Sequence, residues 1–274
     1  MIIKRVDLYE YFGLKREVGY NGYLTSYVLD DYDFAKNRVR PATLIVAGGG
    51  YSGVSERESE PVAVKYLDCG FNCFTLKYSV APACHPTQLI EGAMAMAYIR
   101  ENAEKLRVDS NHVVAIGFSA GAHLCGMLAS MFEEDILQKT LGEKAKYCRP
   151  DAVVLGYPVV SGLHKSHLGS FRNLCGEREV LYEKLSIELR INERSTPAFI
   201  WGTVDDPVVP SENGLALAVA YRKAGVPFEY HLFESCNGVH GLSICEKESG
   251  FANDTVKPWV QLSKTWLKNR GFMI

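Results

Sequence analysis

Short, largely apolar runs alternate along this chain with longer segments of helical period. The runs at residues 43–47, 71–78, 113–117, 152–157, 198–202 and 228–233 read as strands. Residues 86–106 read as a helix, with Leu89, Ala93, Met96, Ala97 and Ile99 on one broad face. Residues 120–132, 215–224 and 259–269 read as further helices, and the segment before residue 43 is β-rich. Continuous apolar strands must be buried on both sides, so the alternation predicts a mostly parallel central sheet with helices on both faces. The class is α/β, read as a single domain over 1–274. Residues 161–195, polar and charged between two strands, read as a short cap excursion.

Composition narrows this little. Over 274 residues, 47% hydrophobic and 23% charged content suits one globular core. Thirty Lys and Arg against 32 Asp and Glu leave a net charge of −2, with no basic run, which argues against nucleic acid and anionic membrane surfaces as partners. The N-terminus lacks the apolar run of a leader, and no stretch approaches the roughly 18 apolar residues of a span. The expectation is a soluble cytoplasmic protein; a homo-oligomer is left open. The eight cysteines (Cys69, Cys73, Cys84, Cys125, Cys148, Cys175, Cys236, Cys245) are scattered through predicted elements and read as isolated buried thiols rather than disulfides or a zinc site.

Gly117-Phe118-Ser119-Ala120-Gly121 stands where an apolar strand ends and a helix begins. A nucleophilic serine needs such a sharp turn to expose its hydroxyl, and small neighbours to fit it. The helix start behind it supplies N–H groups and a positive dipole end for a developing oxyanion. A bare Gly/Ser turn has no such context. Gly48-Gly49-Gly50-Tyr51 follows an earlier strand and suits a second oxyanion donor, so Gly49, Gly50 and Ala120 are the candidate donors. A phosphate cradle would require a Gly-Lys-Ser/Thr that is absent.

A serine nucleophile needs a base, and the base a carboxylate, in the order Ser, acid, His. His85 and His112 precede Ser119; His123 follows one turn along the same helix and packs behind it; His164 and His167 lie in the cap; His231 lies within a strand. His240, in the loop Asn237-Gly238-Val239-His240-Gly241, remains. The acid lies in Gly202-Thr203-Val204-Asp205-Asp206-Pro207-Val208-Val209-Pro210. Adjacent side chains diverge, so only one aspartate can orient the base. Counting forward from Gly202 favours Asp205, while counting back from Pro210 selects Asp206; Asp205 is preferred.

These motifs, with residues 47–58, the 117–124 turn, Leu155-Gly156-Tyr157-Pro158-Val159-Val160 and His240-Gly241-Leu242, together resemble the bacterial esterase/lipase branch of the α/β-hydrolases. Within it the chain is most similar to acetyl esterases and acetylxylan esterase-like, xylanase-associated proteins, from about residue 20 onward. Ala47, where hormone-sensitive-lipase relatives carry His, sets it apart from that subfamily. The resemblance implies an α/β-hydrolase fold and serine ester hydrolysis on a small-molecule ester such as an acetylated sugar, without metal or organic cofactor. The Asp-Asp-x-Val-Val-Pro turn is also similar to that of prolyl oligopeptidases, which use the first aspartate; this supports Asp205 and keeps a peptidase or amidase as the alternative. A catalytically silent binding module is the third reading.

Other residues admit two readings each. Ser55-x-x-Glu58 reads as a capping box opening a helix, with Glu56 or Arg57 as alternative contacts to a sugar-like alcohol. Tyr51, Tyr78, Tyr157 and Trp201, near strand ends, either line a pocket or pack in the core.

Overall fold

The structure, a computed structural model, describes residues 1–32, 38–165 and 167–272. Its strands are β1 (Ile2–Asp7), β2 (Tyr23–Val28), β3 (Arg40–Val46), β4 (Asn72–Lys77), β5 (Val108–Phe118), β6 (Ala152–Gly156), β7 (Ala198–Thr203) and β8 (Phe228–Phe233). They form one sheet in the order β1-β2-β4-β3-β5-β6-β7-β8. The β1/β2 and β2/β4 pairs are antiparallel. The pairs from β4/β3 through β7/β8 are parallel. The mostly parallel sheet is the one the residue pattern predicts, and its strand order is that of the α/β-hydrolase fold the resemblance implies.

Strand alternation assigns the two faces. Leu44 and Val46 of β3, Val113 and Ala115 of β5, and Val153 and Leu155 of β6 turn to one side. There they pack against helices Thr87–Glu101, Ala120–Ser130 and Glu212–Ala224. Ile45, Val114, Ile116, Val154, Phe199 and Trp201 turn to the other side, against helices Glu60–Leu67 and Trp259–Asn269. All of these strand residues are fully buried, each large one contributing roughly 1.5–3 kcal/mol.

The closing helix and β8 coincide with the residues the pattern predicts. Residues 86–106 instead form two helices, Thr87–Glu101 and Ala103–Leu106. Asn102 breaks them: its side-chain amide donates to the Tyr98 carbonyl at 2.9 Å, competing with the backbone for the same acceptor. The β-rich N-terminal segment also holds a short helix, Leu8–Phe12, whose first N–H groups are accepted by the Asp7 carboxylate.

Register decides where the chemistry lies. Val46 pairs with Gly117, and Phe118 with Gly156, which in turn pairs with Trp201. The C-terminal ends of β3, β5, β6 and β7 therefore deliver the glycine loop, Ser119, Tyr157 and the aspartate pair to one edge of the sheet, where open parallel sheets place ligands. Between β6 and β7 the cap segment carries helices Leu168–Cys175 and Leu181–Lys184 and a 3₁₀ turn, Ile187–Leu189.

Candidate active site

Ser119 joins β5 to helix Ala120–Ser130 with φ 52° and ψ −119°, a conformation side-chain-bearing residues rarely adopt. Its backbone is held on both sides. Its N–H donates to the Gly156 carbonyl at 3.0 Å, and its carbonyl accepts from His123 and Val159 at 3.1 and 3.2 Å. The small flanking residues are required by space: a Cβ on Gly121 would strike the Val46 and Ala47 carbonyl oxygens. The Ser119 side chain thus projects at the start of an eleven-residue helix and is largely covered.

His240 Nε2 lies 2.9 Å from Ser119 Oγ, and its Nδ1 lies 2.7 Å from Asp206 Oδ2. A carboxylate only accepts, so Nδ1 carries the proton and the Nε2 lone pair faces the serine hydroxyl. The other Asp206 oxygen accepts from the Val208 and Val209 N–H groups at 2.8 and 2.9 Å. Asp206 is 3% and His240 16% exposed at the side chain.

The preferred acid, Asp205, is not the residue that meets His240. Asp205 turns the opposite way and accepts from Ser235 Oγ at 2.5 Å and the Cys236 N–H at 2.6 Å. Contacts from Cys236 and then Ser235 hold its carboxyl at about 2. Asp205 fastens the loop that follows β8, while Asp206, four residues before Pro210, faces the histidine.

The glycine loop lies against the serine. A Cβ on Gly48 would come within 2.9 Å of Ser119 Cβ. Gly49 and Gly50 have φ 126° and 61°. The Gly48 N–H is taken by Glu58 Oε2 at 2.7 Å. The N–H groups of Gly49, Gly50 and Ala120 donate to no acceptor among the described residues.

Glu58 is a site residue that local reading misassigns. Ser55 makes no side-chain capping bond, and residues Glu56–Glu58 form a 3₁₀ turn instead of opening a helix. The Glu58 carboxylate is buried and bridges Gly48 and the Tyr157 hydroxyl. Its partners are 10 and 99 residues away, beyond any short motif. Burial pushes the carboxyl up from its ordinary value, against the hydrogen bonds from Tyr157 and Gly48.

The aromatics near strand ends are packed, not open pocket walls. Tyr51 hydrogen-bonds His123 Nδ1 at 2.8 Å, and His123 Nε2 meets the Leu185 carbonyl at 2.7 Å. Tyr78 donates to the Ala47 carbonyl. Trp201 stacks on Trp259 with centroids 4.8 Å apart, and Tyr157 presents an edge-on ring to His240 at 5.0 Å. Over the glycine loop sits the cap: Asn173 Nδ2 donates to the Gly50 carbonyl at 2.8 Å, and His167 Cε1 would be 3.8 Å from a Cβ on Gly50. Burial, then the neighbouring His240, lowers the His167 imidazole below its ordinary value.

Two further histidines are engaged elsewhere, His112 with Asp109 and His231 with Glu229. All eight cysteines are unpaired. Among the described residues no cluster of three His, Cys, Asp or Glu side chains is placed to hold a metal, and no helix is long and apolar enough to cross a membrane.

Residues 31–221 match the family described as BD-FAE. The chain belongs to the BD-FAE family of α/β-hydrolases. Among curated proteins this BD-FAE chain is 35% identical over 218 residues to endo-1,4-beta-xylanase B of Butyrivibrio fibrisolvens, covering 76% of the chain and 33% of the relative. It is 29% identical over 205 residues to an acetylxylan esterase of Xylanibacter ruminicola, covering 72% and 40%. It is 25% identical over 237 residues to esterase LipQ of Mycobacterium tuberculosis, covering 80% and 56%. The chain thus spans a third to just over half of the length of these relatives. Among solved structures, an acetyl ester-xyloside bifunctional hydrolase from Caldicellulosiruptor lactoaceticus superposes with TM-score 0.80 at 34% identity, covering 92% of this chain and 89% of that one. The carboxylesterase Cest-2923 from Lactobacillus plantarum superposes with TM-score 0.84 at 25% identity over 100% and 99%. Several of these relatives are named as esterases.

Proposed function

We propose that this protein is a serine carboxylesterase that removes short acyl groups, acetyl above all, from carbohydrate alcohols. The observation that carries the reading is the hydrogen-bonded chain Ser119 Oγ–His240–Asp206 at 2.9 and 2.7 Å. In this mechanism His240 takes the Ser119 proton as Oγ attacks the ester carbonyl. Asp206 holds the tautomer and stabilises the imidazolium. The N–H groups of Ala120 and of Gly49 or Gly50 receive the oxyanion. His240 then protonates the departing alcohol, and water releases the acyl group by the same path. The reaction needs no metal or organic cofactor.

The carbohydrate assignment draws on the similarity to an acetylxylan esterase and an acetyl ester-xyloside bifunctional hydrolase. The amidase alternative, motivated by the Asp-Asp-x-Val-Val-Pro turn shared with oligopeptidases, would use the same triad, so substrate assays separate the two. The unpaired thiols suit a reducing compartment. Acetate release from acetylated xylo-oligosaccharides, set beside p-nitrophenyl acetate and octanoate, tests the substrate class. Faster turnover of xylo-oligosaccharide acetates and of acetate over octanoate is expected. A preference for octanoate, or faster cleavage of aminoacyl-nitroanilides, overturns it.

A further inference from the structure

Three loops must keep register around Ser119: the glycine loop after β3, the turn after β6 and the histidine loop after β8. A single buried carboxylate touches or reaches all three. Glu58 is 2% exposed. Its Oε2 accepts the Gly48 N–H at 2.7 Å, one residue before the candidate oxyanion donors. Its Oε1 accepts the Tyr157 hydroxyl at 2.7 Å. The Tyr157 oxygen in turn accepts the N–H of Ser243, three residues beyond His240, at 2.9 Å.

Ser243 is clamped on every polar atom. Besides its N–H, its hydroxyl donates to the Arg57 carbonyl at 2.5 Å and its carbonyl accepts from Trp259 Nε1 at 2.9 Å. Gly241 packs directly on the same group, since a Cβ there would lie 3.5 Å from Glu58 Oε1 and 2.6 Å from Arg57 Nη2. The Tyr157 ring meanwhile abuts the His240 imidazole. The histidine loop is therefore seated on the residues that fix the glycine loop.

We propose, resting on the esterase reading, that Glu58 is a positioning residue: its two oxygens hold the glycine loop and, through Tyr157, the histidine loop in the register that catalysis requires. The chemistry explains why a carboxyl group is needed. Two donors converge from opposite sides, so the side chain must accept on both of its oxygens. A glutamine accepts on one side only. Its amide nitrogen would face a phenol oxygen already accepting from Ser243, and the phenol proton would lose its acceptor. An alanine leaves both donors buried and unpartnered.

The test compares Glu58→Gln, Glu58→Ala and Tyr157→Phe with the native protein. It reads kcat and KM on p-nitrophenyl acetate, affinity for a trifluoromethyl ketone that forms a tetrahedral adduct, and Tm. Losing one oxyanion donor costs an enzyme about 10²–10³ in kcat, and disturbing its seat is expected to cost at least about tenfold. The expected pattern is a fall in kcat of that size in Glu58→Gln and Tyr157→Phe with KM little changed. Ketone affinity should fall in parallel, and Glu58→Ala should be worse than Glu58→Gln. Turnover per folded molecule equal to native, with only Tm lowered, overturns the proposal. So does a Tyr157→Phe protein that fails to fold, because the network then serves stability. Failure of the esterase reading itself shows separately, as a native protein that neither turns over the ester nor binds the ketone.

Discussion

Asp206 holds His240 by one oxygen and is itself held by two backbone N–H groups through the other. The 2.7 Å contact to Nδ1 is thus made by a carboxylate that cannot rotate away without breaking bonds to Val208 and Val209. Asp206→Asn presents an amide in place of the acceptor and turns the imidazole to the wrong tautomer, a change that lowers kcat by roughly 10⁴ in a serine protease. We expect a loss of several orders of magnitude in kcat on p-nitrophenyl acetate with KM little altered. A loss below tenfold would show that His240 is oriented by something else.

Asp205→Asn should behave differently. Asp205 acts on the loop that bears His240 through Ser235 and Cys236, so the variant should keep most of its turnover. Its cost falls on stability. The folded carboxyl sits at about 2 against an ordinary 3.8, so its contribution is fully present above pH 3.8 and is lost as pH falls toward about 2. Urea midpoints of native and variant proteins should differ by a constant amount from pH 7 to about 4 and converge as pH drops from about 4 toward 2. A gap that stays constant down to about pH 2 would refute the ionic origin.

The two aspartates show where sequence reasoning stops. The serine turn, the glycine loop and the histidine loop were legible because each needs local chemistry: a strand end, a helix start, flanking glycines. Which neighbour of an Asp-Asp pair faces the histidine depends on Ser235 and Cys236, about thirty residues on, and no periodicity encodes that. Glu58 was misread for the same reason, since a Ser-x-x-Glu spacing is a local pattern while its partners are contributed by the loop after β3 and the turn after β6. The helix break at Asn102 hid because apolar periodicity runs on across it. Fold class survives such gaps because it rests on the strand and helix pattern over the whole chain.

His123 is a buried bridge rather than a base. Hydrogen-bonded to Tyr51 of the glycine loop and to the Leu185 carbonyl of the cap, it is held by burial at about 4, below its ordinary 6.5. Folding thus disfavours its protonation, so the stability it confers is present above pH 6.5 and is lost as pH falls toward 4. His123→Gln, which cannot titrate, should be less stable than native at pH 7, with the gap narrowing by pH 4. Thermal melts across that range check this; parallel curves would contradict it.

The central claim is that Ser119 is the nucleophile, poised by His240 and Asp206. Peptide-resolved mass spectrometry after treatment of the folded protein with a fluorophosphonate tests it most directly. The account predicts one adduct, on Ser119, formed in step with loss of p-nitrophenyl acetate hydrolysis and absent from Ser119→Ala. Native protein that hydrolyses the ester yet carries no adduct on Ser119 would contradict it.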